Sequence, residues 1–248
     1  MIIFKSPQEV EKIRASGRIV AGAIEELKNR IRPGILTKEL DKIAEEFIIK
    51  SGGTPAFKGY RGYPNTLCIS VNEEIVHGIP SARVVKEGDI VGIDLGVLLD
   101  GYYGDAALTL PVGEIDDKAK RLLEVTEASL YKAIDTAVPG KRVSDISYTI
   151  QSYVEDAGYS VVREFVGHGI GRSLHEDPPV PNFGEPGKGP QLKEGMVLAI
   201  EPMVNAGSCD LEILENGWTA VTKDKSLSAH FEHTVAITRN GPLILTVL

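Results

Sequence analysis

The stretch GDIVGIDLGVLLDGYYGDAALTL, residues 88–110, decides the fold. Small and apolar residues flank Asp100-Gly101, a dipeptide typical of a two-residue β-hairpin turn, so the stretch predicts two antiparallel strands. Each strand carries one aspartate, Asp94 or Asp105, at a place where a strand facing a core is apolar. Because a buried carboxylate without a partner is costly, both aspartates require a group that compensates for their burial.

The predicted turn also sets the spacing of these aspartates. A two-residue turn places Asp105 opposite Gly96. Gly96 is two residues from Asp94 and therefore lies on the same face of the strand. The aspartates become diagonal neighbours with backbones about 7–8 Å apart, within reach of a common ligand.

Two pairs of predicted helices accompany this hairpin. Apolar residues at helical spacing and signals at the helix ends predict the four helices over residues 7–31, 37–50, 116–137 and 144–157. Within each pair a Pro-Gly dipeptide separates the helices. Pro33 and Pro139, which begin these dipeptides, lie 106 residues apart. The spacing indicates an internal repeat.

Strand motifs recur in the same order as the helices. KEGDIVGID, residues 86–94, matches KEGMVLAIE, residues 193–201, and the VHGI that begins at Val76 matches the GHGI that begins at Gly167. We therefore expect an α+β fold built by duplication, with helices outside a curved sheet and a pseudo-twofold axis between the halves. The expected halves, about 6–112 and 116–248, form one domain over residues 1–248, with a cleft between them.

The repeat brings further acids to the predicted hairpin. It aligns Asp94 with Glu201, and Asp105 corresponds to Glu232 in SAHFEHTVAIT. Four converging carboxylates remain ionised only if cations accompany them. The alternative, protonation, would have to occur at most of the four at once. The sequence therefore predicts a metal centre.

An oxygen-rich ligand set with one histidine suits cobalt, manganese, iron(II) or zinc ions. Four carboxylates exceed the needs of one ion, so we predict two divalent metal ions bridged by acids and a water. Residue spacing does not say which of His77, His168 and His175 binds metal. His233 is expected to be an ordinary hydrogen-bonded histidine.

The composition argues against several other classes of function. A net charge of −8 is unlike that of nucleic-acid-binding proteins. Cys68 and Cys209 are too few for a disulfide framework and fit a reducing compartment. The N-terminus turns polar after four residues, and no apolar run approaches the length of a membrane span. We expect a cytoplasmic protein with neither nucleic acid nor membrane as a partner.

The ordered motifs HGIP, DLG, GHGIGRSLHE, EPMV and FEH resemble those of the methionine aminopeptidases over essentially the whole chain. The resemblance implies the pita-bread fold, in its compact bacterial, type I form. It implies five metal ligands: Asp94, Asp105, His168, Glu201 and Glu232. His77 and His175 would then lie outside the metal ligands, in contact with the substrate and the developing oxyanion.

The activity implied is removal of the N-terminal methionine from nascent proteins and peptides whose second residue is small. A water that bridges the two ions would attack, Glu201 would take its proton, and His175 would polarise the carbonyl. The expected methionine pocket consists of Phe57, Tyr60, Tyr63, Cys68, Leu174 and Trp218. The enzyme would act as a monomer on polypeptide N-termini at the ribosome.

This chain departs from the family pattern at three positions. His230 stands where glutamine is more usual, and Phe57 and Leu174 replace other apolar residues.

Two alternative functions remain. A proline-specific peptidase of the same fold usually carries an extra N-terminal domain, for which the sequence has no room. A binding module that has lost its metals is disfavoured, because all five ligand positions are filled.

Overall fold

The computed structural model describes residues 1–248, with four α-helices outside a curved antiparallel sheet. The helices are α1 (Pro7–Lys28), α2 (Thr37–Lys50), α3 (Asp117–Thr136) and α4 (Val143–Asp156). The strands of the first half are β1 (Thr54–Pro55), β2 (Cys68–Val71), β3 (Glu74–Val76), β4 (Ile90–Leu99) and β5 (Tyr102–Pro111). Those of the second half are β6 (Ser160–Val161), β7 (Gly167–Gly169), β8 (Glu176–Val180), β9 (Val197–Ile200), β10 (Met203–Asn205), β11 (Leu211–Ile213), β12 (Ala220–Thr222), β13 (Ser228–His230), β14 (Glu232–Thr238) and β15 (Gly241–Ile244).

The four predicted helices are confirmed, and only the end of the first lies more than one residue from its predicted place. At the start of α1, the Ser6 hydroxyl accepts from the Glu9 amide, while the Glu9 carboxylate accepts from the Ser6 amide. The helix ends at Lys28 rather than near Ile31. The Asn29 side chain and backbone amide both donate to the Glu25 carbonyl and so cap the last turn of the helix.

The central hairpin forms with the predicted register. Asp100 and Gly101 occupy its tip with φ of 49° and 78°, the left-handed values of a two-residue hairpin turn. Asp105 pairs with Gly96, two residues from Asp94. The two aspartates therefore share one face of the sheet, as the sequence predicts.

The two half-sheets expected from the repeat are joined into one nine-stranded sheet. Its order is β1-β4-β5-β14-β9-β7-β8, with β2 on β4 and β15 on β14. The junction is the pairing of β5 with β14, where Ala107 lies opposite Glu232. Pairing across the halves satisfies the edge that each half-sheet would otherwise expose. Two three-stranded sheets complete the fold, β13-β10-β6 and β11-β12-β3.

Threonine hydroxyls reinforce this junction from both sides. The Thr234 hydroxyl accepts from the Asp105 amide at 3.0 Å and donates to its carbonyl at 2.7 Å. Thr109 does the same for the backbone of His230, at 2.9 and 3.0 Å. Each half thus uses one buried threonine to hold the backbone of the other half beside the acids.

The apolar core lies between the sheet and the helices. Side chains alternate along β4, so Ile93 and Leu95 pack in the core under α1 and α2 while Asp94 points to the opposite face. A second core of 25 buried residues lies under α3 and α4. The helices thus cover one face of the sheet, and the acids gather on the other. No helix is long and apolar enough to cross a membrane.

Candidate metal centre and active site

The four predicted carboxylates come from adjacent strands on the face away from the helices. Asp94 and Glu232 both lie opposite Ala107, on β4 and β14 respectively. Glu201 directly follows β9, the next neighbour of β14. The hairpin brings Asp105 into the same group. The sheet order alone therefore explains why acids distant in sequence converge.

His168 completes the group from β7, where it pairs with Ala199 of β9. Its Nδ1 lies 2.9 Å from the Gly169 carbonyl, which leaves Nε2 free to face the acids. Nε2 lies 3.6 Å from Glu201 Oε1. Ligand atoms of Asp105, His168 and Glu232 lie within 4.8 Å of one another. This arrangement has the donors and the compactness of a metal site.

Burial raises the pKa of every carboxylate in the cluster, and at Asp94, Glu201 and Glu232 repulsion by neighbouring acids raises it further. Burial raises the pKa of Asp105 to about 7. For Asp94, burial acts first and the Asp105 charge second, and the pKa rises well above its usual range. The same causes, burial followed by neighbouring aspartates, raise the pKa of Glu201 and Glu232. Ionisation of all four buried acids is therefore an unfavourable state unless cations accompany them.

Unpartnered oxygens show what would relieve that state. Oδ1 of Asp94, Oδ1 of Asp105 and Oε1 of Glu232 are buried without any hydrogen-bond partner. Buried polar atoms are nearly always satisfied, so three orphaned oxygens in one cluster call for a ligand. Carboxylate oxygens and one imidazole fit divalent metal ions, as expected from the sequence.

A cavity of about 150 Å³ opens from the acid cluster. All the site residues predicted from the sequence line it, namely Phe57, Tyr60, Tyr63, Cys68, His77, Asp94, Asp105, His168, Leu174, His175, Glu201, Trp218 and Glu232. The structure therefore brings together every residue that the motifs singled out. His233 lies outside, with Nδ1 bonded to the Thr246 hydroxyl at 2.8 Å, as predicted for an ordinary histidine.

His175 lies between the acid cluster and Tyr60. Its ring stacks on Tyr60 at 5.3 Å between centroids, and Nδ1 lies 2.9 Å from the Tyr60 hydroxyl. The His168 ring is 4.2 Å away on the side of the acids. Burial first, then His168 and Arg61, lowers the pKa of His175 to about 3, so the ring is neutral.

His77 also lines the cavity and lies immediately after β3. Its backbone has a φ of 59°, and its ring packs edge-on against Phe165 at 5.2 Å and Trp218 at 6.4 Å. Burial lowers the pKa of His77, so this ring is also neutral. Left-handed backbone at a residue other than glycine is uncommon and marks a constrained position.

The apolar end of the cavity is rigid. The Tyr63 hydroxyl lies 2.9 Å from both the Leu67 and Gly78 carbonyls, and its ring meets Trp218 edge-on at 5.1 Å. Cys68 pairs with Asp94 across β2 and β4. Burial first, then Asp94, raises the pKa of the Cys68 thiol, which therefore stays protonated and apolar in character.

Sequence reasoning missed a buried ion pair behind His175. Lys5 Nζ lies 2.5 Å from Glu176 Oε2, and both side chains are almost completely buried. The other carboxylate oxygen accepts from the amides of Arg172 and Ser173. The pair anchors the loop that presents His175. No motif contained this information, because Lys5 and Glu176 are far apart in sequence.

Two further residues at the site were also missed. Arg61 lines the cavity with a φ of 50°, and the glycines on either side in GYRG were the available signal. His230 was noted only as a departure from the family pattern, yet its Nε2 lies 3.5 Å from Glu201 Oε2.

Comparisons with known proteins agree with this geometry. The model of Metallopeptidase family M24 matches residues 11–239. Methionine aminopeptidase 1 of Bacillus subtilis is 61% identical over 246 residues, 99% of each chain. The crystal structure of methionine aminopeptidase from Thermotoga maritima is 50% identical with a TM-score of 0.99, covering 100% of both chains. The prolidase from Pyrococcus furiosus is 27% identical with a TM-score of 0.82, and the match covers 99% of this chain and 66% of the prolidase.

These matches confirm the pita-bread fold and the class of reaction, metal-dependent peptide hydrolysis. The family match, the close relatives and the cluster of orphaned carboxylates agree that divalent metal ions serve the reaction. The chain is a metal-dependent peptide hydrolase that belongs to metallopeptidase family M24 and, within it, to the methionine aminopeptidases.

Proposed function

We propose that this peptidase removes the N-terminal methionine from polypeptides whose second residue is small. The observation that carries the proposal is one small cavity with two unlike ends. One end holds the acid cluster with its orphaned oxygens, and the other is walled by Tyr63, Cys68 and Trp218. If the side chain of the first substrate residue occupies the apolar end, the carbonyl of that residue lies beside the acid cluster.

Two divalent ions would be held by Asp94, Asp105, His168, Glu201 and Glu232. The donor set accepts cobalt, manganese, iron(II) or zinc ions. When bound, the ions supply Lewis-acid polarisation of the carbonyl and lower the pKa of the attacking water. The three orphaned oxygens support this ligand assignment, because each is buried with no other partner.

The protein's own groups complete the hydrolysis. The Glu201 carboxylate accepts the proton of the attacking water. We assign the Tyr60 hydroxyl as donor to His175 Nδ1, which leaves the proton of the neutral ring on Nε2. Nε2–H then donates to the carbonyl oxygen as negative charge develops on it. His77, which also lines the cavity, contacts the backbone of the substrate.

The methionine side chain is assigned to the pocket of Phe57, Tyr60, Tyr63, Cys68, Leu174 and Trp218. A polarizable thioether packs favourably against aromatic edges and a protonated thiol. Because these walls are packed against the sheet, the pocket selects the first residue by shape. The limit to a small second residue is part of the proposal and is tested with peptides that differ only at that position.

We extend the proposal to the cellular setting. The substrates are N-termini of nascent polypeptides, met at the ribosome in the cytoplasm, and a monomer is sufficient. Support for the cytoplasm is that Cys68 and Cys209 are both free.

The similarity to a prolidase raises a second candidate function, cleavage of the bond before proline. That match is far lower in identity than the match to methionine aminopeptidases, 27% against 61%.

A direct test incubates metal-loaded protein with Met-Gly-Xaa and Ala-Pro-Xaa peptides, with and without chelator. We expect free methionine to be released and chelator to abolish the release. Cleavage of only the proline peptide, or of neither peptide, contradicts the proposal.

A further inference from the structure

A second buried imidazole lies beside the acid cluster, at a position that the proposed mechanism does not use. His230 ends β13, opposite Met203 of β10, and is 4% exposed. Thr109 holds its backbone from the other half of the molecule, through its amide and its carbonyl. The position of the ring is therefore determined by the junction between the halves.

The ring faces the carboxylate of Glu201. His230 Nε2 lies 3.5 Å from Glu201 Oε2, while His168 Nε2 lies 3.6 Å from Oε1. Two imidazoles thus flank one carboxylate, one at each oxygen. His168 is on the side of Asp105 and Glu232, whose ligand atoms it approaches within 4.8 Å.

His230 Nε2 is buried and has no hydrogen-bond partner. An unsatisfied buried polar atom is costly, and the oxygen at 3.5 Å is the acceptor that the structure offers it. The gap is slightly wider than an optimal hydrogen bond, and a small rotation of either side chain closes it.

We propose that His230 is a positioning residue that donates from Nε2 to Glu201 Oε2 and so fixes the orientation of that carboxylate. With Oε2 held, Oε1 is directed towards His168 and the metal centre. Groups that hold a metal ligand from behind restrict its rotation, and their loss typically costs about 10–100-fold in metal affinity or activity. The inference rests on the proposed role of Glu201 as a ligand and proton acceptor.

The test compares two variants of nearly equal bulk. His230→Gln keeps an N–H donor, whereas His230→Leu fills the space without one. The affinity for cobalt is measured by competition with a chelator, and the visible absorption spectrum of bound cobalt is recorded. We expect His230→Leu to lose about 10–100-fold in affinity and to change the spectrum. His230→Gln should stay close to the unmodified protein in both measurements.

Two controls separate positioning from other effects. His233→Leu removes a half-buried histidine that bonds Thr246 and does not line the cavity, and this change should leave the cobalt affinity unchanged. In a Glu201→Gln background, His230→Leu should cause little further loss, because the two residues act as a unit. Thermal unfolding of each variant confirms that it is folded.

Three outcomes overturn the inference. Unchanged cobalt affinity in folded His230→Leu shows that the ring does not orient Glu201. Equal losses in the Gln and Leu variants assign the effect to ring shape rather than to donation. A full additional loss in the Glu201→Gln background makes His230 an independent ligand. Since no peptide is used, failure of the proposed methionine specificity would leave these ratios intact and is recognised separately.

Discussion

His77 and His168 occupy equivalent places in the repeated sequence, yet the structure uses them differently. His168 lies within β7, with Nδ1 bonded to the Gly169 carbonyl and Nε2 facing the acids. His77 follows β3 with a left-handed φ of 59°, and its ring turns into the substrate cavity. Duplication has therefore kept a histidine at both places, whereas the local backbone conformation decides whether its ring faces the acids or the substrate cavity. The predictions below test that division of roles.

The largest effect is expected from His168→Ala. If this histidine is a ligand, its loss should lower metal affinity by more than the ~100-fold that an orienting partner contributes, and methionine release should fall to background. Metal content after dialysis and release of methionine from Met-Gly-Xaa measure the two effects. Full metal content in the variant would remove His168 from the ligand set.

Next in size is His175→Ala. Loss of one donor to a developing oxyanion typically costs about 10²–10³ in kcat, and the ligands themselves are untouched. Steady-state kinetics and metal content should show the low kcat together with unchanged metal. Loss of metal from this variant would instead make His175 a ligand and would reverse the assignment.

His77→Ala tests the other member of the comparison. Removing a buried contact to the substrate should lower kcat/KM by roughly 10–100-fold, because an unsatisfied partner costs about 1–3 kcal/mol. Metal content should stay at the level of the unmodified protein. A variant that loses metal in the manner of His168→Ala would show that the two histidines are equivalent after all.

The smallest effect is expected from Tyr60→Phe. The ring still stacks on His175, but the hydroxyl at 2.9 Å from Nδ1 is lost. A single hydrogen bond is worth about 0.5–1.5 kcal/mol, so kcat should fall by roughly 2–10-fold. The kinetic measurement should show little change in KM. An unchanged kcat would mean that Tyr60 only packs against the ring.

Much of this site could be predicted because short sequence motifs determine the positions of its acids. The Asp100-Gly101 turn fixed the register of β4 and β5, and with it the shared face of Asp94 and Asp105. The repeat then located Glu201 and Glu232. The first inference depends on strand periodicity and turn geometry, which act over a few residues, and the second depends on short motifs that recur in both halves of the sequence.

Other features depend on contacts between distant residues and leave no pattern in the sequence. The junction of β5 with β14 joins the halves through backbone pairing, which is almost independent of side-chain identity. The anchoring of the His175 loop depends on Lys5 meeting Glu176. The role of His230 became visible only once β13 was placed beside Glu201.

The central claim is that metal ions compensate for the burial of Asp94, Asp105, Glu201 and Glu232. A crystal structure of the cobalt-loaded protein, with anomalous scattering recorded at the cobalt edge, tests it most directly. We expect two anomalous peaks among these four acids and His168, with His77 and His175 outside the coordination sphere. No peak in the cluster, or a peak ligated by His77, would contradict it.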